Sequence, residues 1–208
     1  MSWSQISCFE WNKEDWFQKY HVHAKCTAKK CVVTGKPNPK CPVVATSPEL
    51  TFGKAVGERL AFDPKYLPEV PRLPIFEHRL LVEWGGMMFV GYTDALSLDH
   101  KTLYEYKTGK KSWGAERVNS HGQLTLYVFL LNLLDGTKPQ DIECTLHWLP
   151  TEESLKSMQD TESTISFVTP VKVHSFKTKR TEADIKNFQI RILKVLGEMK
   201  VYLKEQVL

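Results

Sequence analysis

The sequence predicts an α/β fold: a helix, a three-stranded meander, a second helix and a fourth strand, with a long helix closing the chain. Three observations carry this. Met87–Leu96 and Thr102–Thr108 are apolar and aromatic runs with β-branched residues, separated by the polar turn Asp99-His100-Lys101, which is a hairpin signal. Ser120–Leu134 is long and apolar, with no Pro and no Gly beyond its first turn, so it reads as a buried helix. Ile185, Phe188, Ile192, Val195, Leu196, Met199 and Leu203 recur at helical spacing, so the last helix buries one face.

The remaining elements follow in order. Asn12 and Asp15 form an N-cap pair that opens a short helix, Lys13–His21, carrying Trp16, Phe17 and Tyr20, which read as core aromatics. Residues 21–42 form a basic loop rich in thiols. Its Cys26, Cys31 and Cys41, with His21, His23 or Cys8 as a fourth ligand, could bind structural Zn²⁺, although C-x4-C-x9-C is not a standard knuckle. Pro48–Leu60 reads as a helix with Ser47 at its N-cap. Asp63–Pro74 is Pro-rich and predicts a loop. Ile75–Trp84 alternates enough for a strand, and Gly85-Gly86 turns it into the Met87 strand. Ser112–Asn119 is mostly polar. Asp135-Gly136 and Pro139 end the Gln123 helix, and Ile142–Leu149 supplies the fourth strand. Short β runs follow around Thr169-Pro170, and Thr181 caps the last helix. The expected organisation is one domain: residues 1–47 as N-terminal helix and basic loop, 48–150 as the core, and 151–208 as a β extension and C-terminal helix.

Three charges stand out inside the hairpin. Asp94 lies near the end of its first strand. Glu105 and Lys107 lie two apart on the second, and so point to one face. Buried charges are costly unless paired or metal-bound. Two carboxylates converging from adjacent strands make a hard-oxygen site suited to Mg²⁺ or Mn²⁺. A neighbouring ammonium can orient a water or stabilise charge developing on a phosphoryl group.

Asp94, ten residues, then Glu105-Tyr106-Lys107 resembles the D-x(n)-E-x-K core of the PD-(D/E)XK nuclease superfamily. Gln123-Leu-Thr-Leu-Tyr127 resembles the Q-x-x-x-Y signature of its RecB-like branch, which includes phage-type recombination exonucleases. The resemblance is strongest over Phe52–Leu134. An E-x-K triplet alone is weak: Glu198-Met-Lys200 is another, on the closing helix. The specific signal is the order strand-Asp, strand-E-x-K, helix Q-x-x-x-Y.

The resemblance implies a restriction-endonuclease-like α-β-β-β-α-β core, with a central mixed sheet of four or more strands flanked by helices. It implies Asp94, Glu105 and the Tyr106 carbonyl as ligands of one or two Mg²⁺ or Mn²⁺, Lys107 as the catalytic amine, and Gln123 and Tyr127 beside the site. Gly53 matches the first Gly of the branch's opening helix. Gly57 stands where its metal-binding His would be, which makes Glu58 the expected substitute. Lys110, Lys111, Trp113, Arg117 and His121 are the candidate DNA contacts. Some RecB-like nucleases carry an iron–sulfur cluster, but this chain has no C-terminal cysteine trio to hold one.

Composition sets the outer bounds. At 208 residues, 42% hydrophobic and 25% charged, this is an ordinary globular chain. No apolar run is long enough for a membrane span, and no secretory signal is visible. The expected location is the cytoplasm, or the host cytosol or nucleus if the protein is viral. A net charge of +4 permits nucleic-acid binding without requiring it. Lys172, Lys177, Lys179 and Arg180 form a second basic cluster, read either as solvated loop or as patch. Five cysteines in such a location predict free thiols.

The expected function is a metal-dependent deoxyribonuclease, an exonuclease rather than an endonuclease by resemblance alone, in recombination, repair or replication. DNA is the expected partner; a recombination or replication protein and self-association are both open. Two alternatives stand beside it: a non-cleaving nucleic-acid-binding protein on a nuclease fold, and a zinc-stabilised interaction module.

Overall fold

The computed structural model describes residues 1–22, 48–109, 111–150 and 173–206. The elements in order are α1 (Trp3–Trp11), α2 (Lys13–Phe17), a π turn (Gln18–Val22), α3 (Pro48–Phe62), β1 (Ile75–Trp84), β2 (Met87–Leu96), β3 (Thr102–Gly109), α4 (Ala115–Asn119), α5 (Gly122–Asp135), a 3₁₀ turn (Pro139–Asp141), β4 (Glu143–Pro150), β5 (His174–Thr178) and α6 (Glu182–Gln206). The chain divides into two compact units, Ser47–Ile185 and Met1–Thr46 with Lys186–Leu208.

The larger unit is built on a five-stranded sheet in the order β1-β2-β3-β4-β5. The β1, β2 and β3 strands form an antiparallel meander, β4 runs parallel to β3, and β5 is antiparallel to β4. The sheet is mixed because β3 reaches β4 through a helix, and a crossover of that length is what parallel neighbours need. Gly85 and Gly86 take φ of 59° and 74°, the left-handed pair that a two-residue hairpin requires and glycine adopts without steric cost. Gly136 ends α5 at φ 75°, returning its N–H to the Asn132 carbonyl. Thr181 opens α6 with Asp184: its hydroxyl accepts the Asp184 N–H at 3.1 Å, and its own N–H reaches the Asp184 carboxylate at 2.7 Å.

Two layers position the site. On α5, Leu124 through Leu131 are all buried, because the helix is apolar on nearly every side. It approaches β2 so closely that a Cβ on Gly91 would lie 2.9 Å from the Tyr127 ring. On α3, Phe52, Val56 and Leu60 pack with Tyr66, Leu67, Val70 and Leu149, and Tyr106 rests against them. Gly53 brings α3 against β3, where a Cβ would lie 3.0 Å from Thr108 Oγ1. The Pro-rich loop is held by Arg72, whose guanidinium donates to the carbonyls of Val70 at 2.9 Å and Asp63 at 3.2 Å, and to that of Tyr66.

The smaller unit joins α1, α2 and the body of α6. The Ser2 cap and Gln5 form a capping box that opens α1, a helix absent from the sequence expectation because it lacks a clear apolar period. Asn12 caps α2 as expected, accepting the Asp15 N–H at 3.1 Å. The α-helix stops at Phe17 and continues as a π turn. Phe9, Trp16 and Ile6 are buried, as are Phe188, Ile192, Val195 and Met199 of α6. Arg191 binds Glu10 through two bonds of 2.6 and 2.7 Å, and Lys13 meets Glu198 at 3.0 Å. That last contact places the Glu198-Met-Lys200 triplet on a helix surface.

Candidate active site

The centre lies where β2 and β3 part. Their pairing runs through Ala95↔Tyr104 and Leu96↔Leu103. Beyond it, Asp94 Oδ2 accepts the Tyr106 N–H at 2.6 Å. A carboxylate stands where a backbone carbonyl would normally close the ladder.

Glu105 is 2% exposed. Its Oε1 forms an ion pair with Lys107 Nζ, as the two-residue spacing on a strand requires. Its Oε2 is buried with no hydrogen-bond partner. Burial first, and then the Glu105 charge, push the Asp94 carboxyl up to about 8, against the opposing Tyr106 N–H and Lys107 charge. Burial works against the Lys107 ammonium, but the Glu105 carboxylate outweighs it and raises the pKa above its ordinary value. Lys107 is therefore cationic at neutral pH.

The first turns of α5 supply the next layer. Lys107 Nζ donates to Gln123 Oε1 at 3.0 Å. Gln123 Nε2 donates to the Tyr127 hydroxyl at 2.5 Å, and that hydroxyl donates to the Tyr92 carbonyl. Gln123 and Tyr127 share a helix face because they are four apart. Burial, followed by the Glu105 charge, raises the Tyr127 phenol, so it remains a neutral donor.

On the α3 side, a cavity of about 170 Å³ is lined by Gly53, Lys54, Gly57, Ala61, Phe76, Glu77, Asp94 and Tyr106. Gly57 faces open space. Glu58 points away from this cavity. It is 56% exposed and pairs with Lys54 at 3.8 Å, because one residue along a helix turns the side chain about 100° away from the position Gly57 occupies. The expected Glu58 ligand is thus not among the residues that line this cavity. In its place the cavity holds Glu77, which the sequence reading passed over. Glu77 is skipped in the β1–β2 register, between Phe76↔Ala95 and His78↔Thr93, and takes φ 47°. It faces Asp94 in a register that continues unchanged on either side, and its left-handed φ, uncommon for a residue with a side chain, interrupts the pairing there. No separate sequence signal marks it, since β1 also carries His78, Arg79 and Glu83.

Among the described residues no three His, Cys, Asp or Glu side chains form a ready metal cluster. The donor chemistry still fits a hard divalent cation: a buried carboxylate oxygen without a partner and a second carboxyl disfavoured as an anion by its neighbour are both relieved by positive charge.

The expected nucleic-acid contacts divide. Lys111 and Arg117 are exposed. Trp113 is not a free stacking platform: Arg117 sits over its ring at 3.8 Å, and His121 meets it edge-on at 4.9 Å. Burial and the surrounding cations lower His121 to about 4, so it is neutral and offers a phosphate no charge at neutral pH. In the second basic cluster, Arg180 is 2% exposed and belongs to the interior. Lys177 pairs with Glu143 at 2.8 Å, and Lys179 donates to the Gln140 carbonyl at 3.2 Å. Lys110, Lys172 and the cysteines Cys26, Cys31 and Cys41 lie outside the described residues.

The splayed β2–β3 edge, with Asp94, Glu105 and Lys107 gathered beside a helix that bears Gln123 and Tyr127, defines a class of protein. The family model of the PD-(D/E)XK nuclease superfamily matches residues 37–204, and the chain belongs to that superfamily. Among solved structures, it is similar to an alkaline exonuclease from Laribacter hongkongensis, at 15% identity and a TM-score of 0.49, over 100% of this chain and 92% of that one. It is also similar to a putative exonuclease from Eubacterium rectale, at 8% identity and a TM-score of 0.41, over 94% of this chain and 64% of that one. No curated protein matches the sequence.

Proposed function

We propose that the protein is a metal-dependent deoxyribonuclease of the RecB-like branch, acting as an exonuclease in DNA recombination, repair or replication. The observation that carries this reading is the single hydrogen-bonded chain Glu105–Lys107–Gln123–Tyr127 set beside Asp94. Asp94 and Glu105, with the Tyr106 carbonyl, would hold Mg²⁺ or Mn²⁺. The bound ion would acidify a water and neutralise charge at the scissile phosphate. Lys107 is cationic, and its amine is aimed by Glu105 and Gln123, so it orients the water and supports the charge that builds on the phosphoryl oxygens. Gln123 has its carbonyl on Lys107 and its amide on Tyr127, which leaves it one orientation. Lys111 and Arg117 meet the backbone phosphates.

Digestion of linear, circular, single-stranded and double-stranded DNA with and without Mg²⁺ tests the proposal, with Glu105→Ala as the control. Release of nucleotides from linear DNA only, dependent on Mg²⁺ and lost in the variant, is the expected result. Cleavage of circles would make it an endonuclease. The open space at Gly57 favours a second reading, a non-cleaving DNA-binding protein; DNA binding without metal-dependent digestion of any substrate would establish it.

A further inference from the structure

Every donor of the Arg180 side chain is bonded, yet nothing in the proposed chemistry uses it. It follows β5 and precedes α6, and it is 2% exposed. Its Nε donates to Thr125 Oγ1 at 2.8 Å. One terminal nitrogen donates to Thr178 Oγ1 at 2.7 Å and to the Lys179 carbonyl at 2.9 Å. The other reaches the carbonyls of Val118 at 3.1 Å and His121 at 3.4 Å. The five donors of a guanidinium are all taken. None of these acceptors is a carboxylate.

A buried cation whose hydrogen-bond acceptors are all neutral, with Asp184 acting on it only through its charge, is a poor way to add stability, since an apolar side chain of similar volume avoids the desolvation cost. What the guanidinium adds is direction, because its planar fork fixes several acceptors relative to one another. Three of the acceptors, Val118, His121 and Thr125, bracket the α4–α5 corner. Thr125 also returns its hydroxyl to the His121 carbonyl at 3.3 Å. Gln123 lies inside this bracket, and it is the residue whose carbonyl holds Lys107.

We infer that Arg180 is a positioning residue for the nuclease centre: it clamps the α4–α5 corner so that Gln123 keeps the Lys107 ammonium aimed. This rests on the nuclease reading for its kinetic consequence, but not for its structural one.

The test is a mutant cycle in the full chain with Arg180→Lys, Gln123→Ala and the double variant. Lysine keeps the charge but cannot span both Thr125 and the Val118 carbonyl. We expect Arg180→Lys to lower kcat by about tenfold while KM for DNA stays within about twofold. We expect the double variant to be no slower than Gln123→Ala alone, because residues acting through one contact do not add. Losses that multiply, or a folded Arg180→Lys protein with wild-type kcat, would overturn the inference. Hydrogen exchange over residues 121–127 gives a readout free of catalysis. Faster exchange confined to that turn in Arg180→Lys supports the clamp, and unchanged exchange overturns it. If the wild-type protein cleaves no DNA, the nuclease reading fails, and exchange alone decides the clamp.

Discussion

The two flanks of the centre are built on opposite plans. Toward α5, Lys107 is held by Glu105 and Gln123, Gln123 by Tyr127, and Tyr127 by the Tyr92 carbonyl. Toward α3, the helix offers Gly53, Lys54, Gly57 and Ala61, Lys54 being paired with Glu58 at 3.8 Å, and the cavity wall carries Asp94 and Glu77. One flank supplies its own partners to every group that must be aimed. The other gathers two carboxyl groups, Asp94 and Glu77, with Lys54 the one cation among the residues that line the cavity. The difference teaches where the proposed function needs outside chemistry: the amine is preset, and under that proposal the carboxyls are completed by a cation and a phosphate.

The sharpest break of this contrast is at the preset amine. Lys107→Ala should lower DNA cleavage by at least about a thousandfold while duplex affinity changes less than about threefold. Equal losses in both, read from single-turnover rates and filter binding, would mean that Lys107 grips substrate rather than supporting the reaction.

Asp94 sharpens the other flank. Its carboxyl is raised to about 8, well above its unfolded value, so the folded state favours the proton. Its contribution to stability is complete at pH below about 4 and is lost as pH rises through about 8. Metal-free protein should therefore lose up to about 2.5 kcal/mol between pH 6 and pH 8. Mg²⁺ should restore part of this, most at the alkaline end. In Asp94→Asn the slope should vanish along with cleavage. Denaturant melts at both pH values, with and without chelator, check this; a flat wild-type profile would show that the carboxyl is not under that pressure.

A smaller effect is expected at Tyr127. The phenol links Gln123 to the Tyr92 carbonyl, so Tyr127→Phe should cost about 1–2 kcal/mol of stability and about tenfold in kcat. Loss of stability with full kcat would make the chain of bonds a packing device only. The smallest effects belong to the exposed cations. Lys111→Ala and Arg117→Ala should each weaken DNA binding a fewfold and reduce the salt slope by about one. An unchanged slope would remove that residue from the backbone contact set.

Legibility followed the same divide. The meander, α3, α5, β4 and α6 fall within a few residues of where periodicity and turn chemistry put them, because their patterns are local. Met87–Leu96 coincides with β2 to the residue. The π turn after Phe17 and helix α1 were not legible, since neither carries a strong apolar period. Within the site, Asp94, Glu105, Lys107, Gln123 and Tyr127 were readable from order and spacing. Glu77, Arg180 and the true place of Glu58 were not. The left-handed turn at Glu77 depends on how two strands pair, Arg180 on where β5 delivers the chain, and the aim of Glu58 on which face α3 turns to the sheet.

By itself, then, the sequence determined the kinds of element, their order, and which acids and amine share a strand or a hairpin, because strand and helix periods are properties of neighbouring residues. Only the tertiary structure decided that Asp94 would replace a backbone acceptor on Tyr106, that Glu77 rather than Glu58 would face the cavity, and that Arg180 would be interior rather than surface. Those outcomes depend on register, crossover and burial, which arise when segments far apart in the chain compete for the same space.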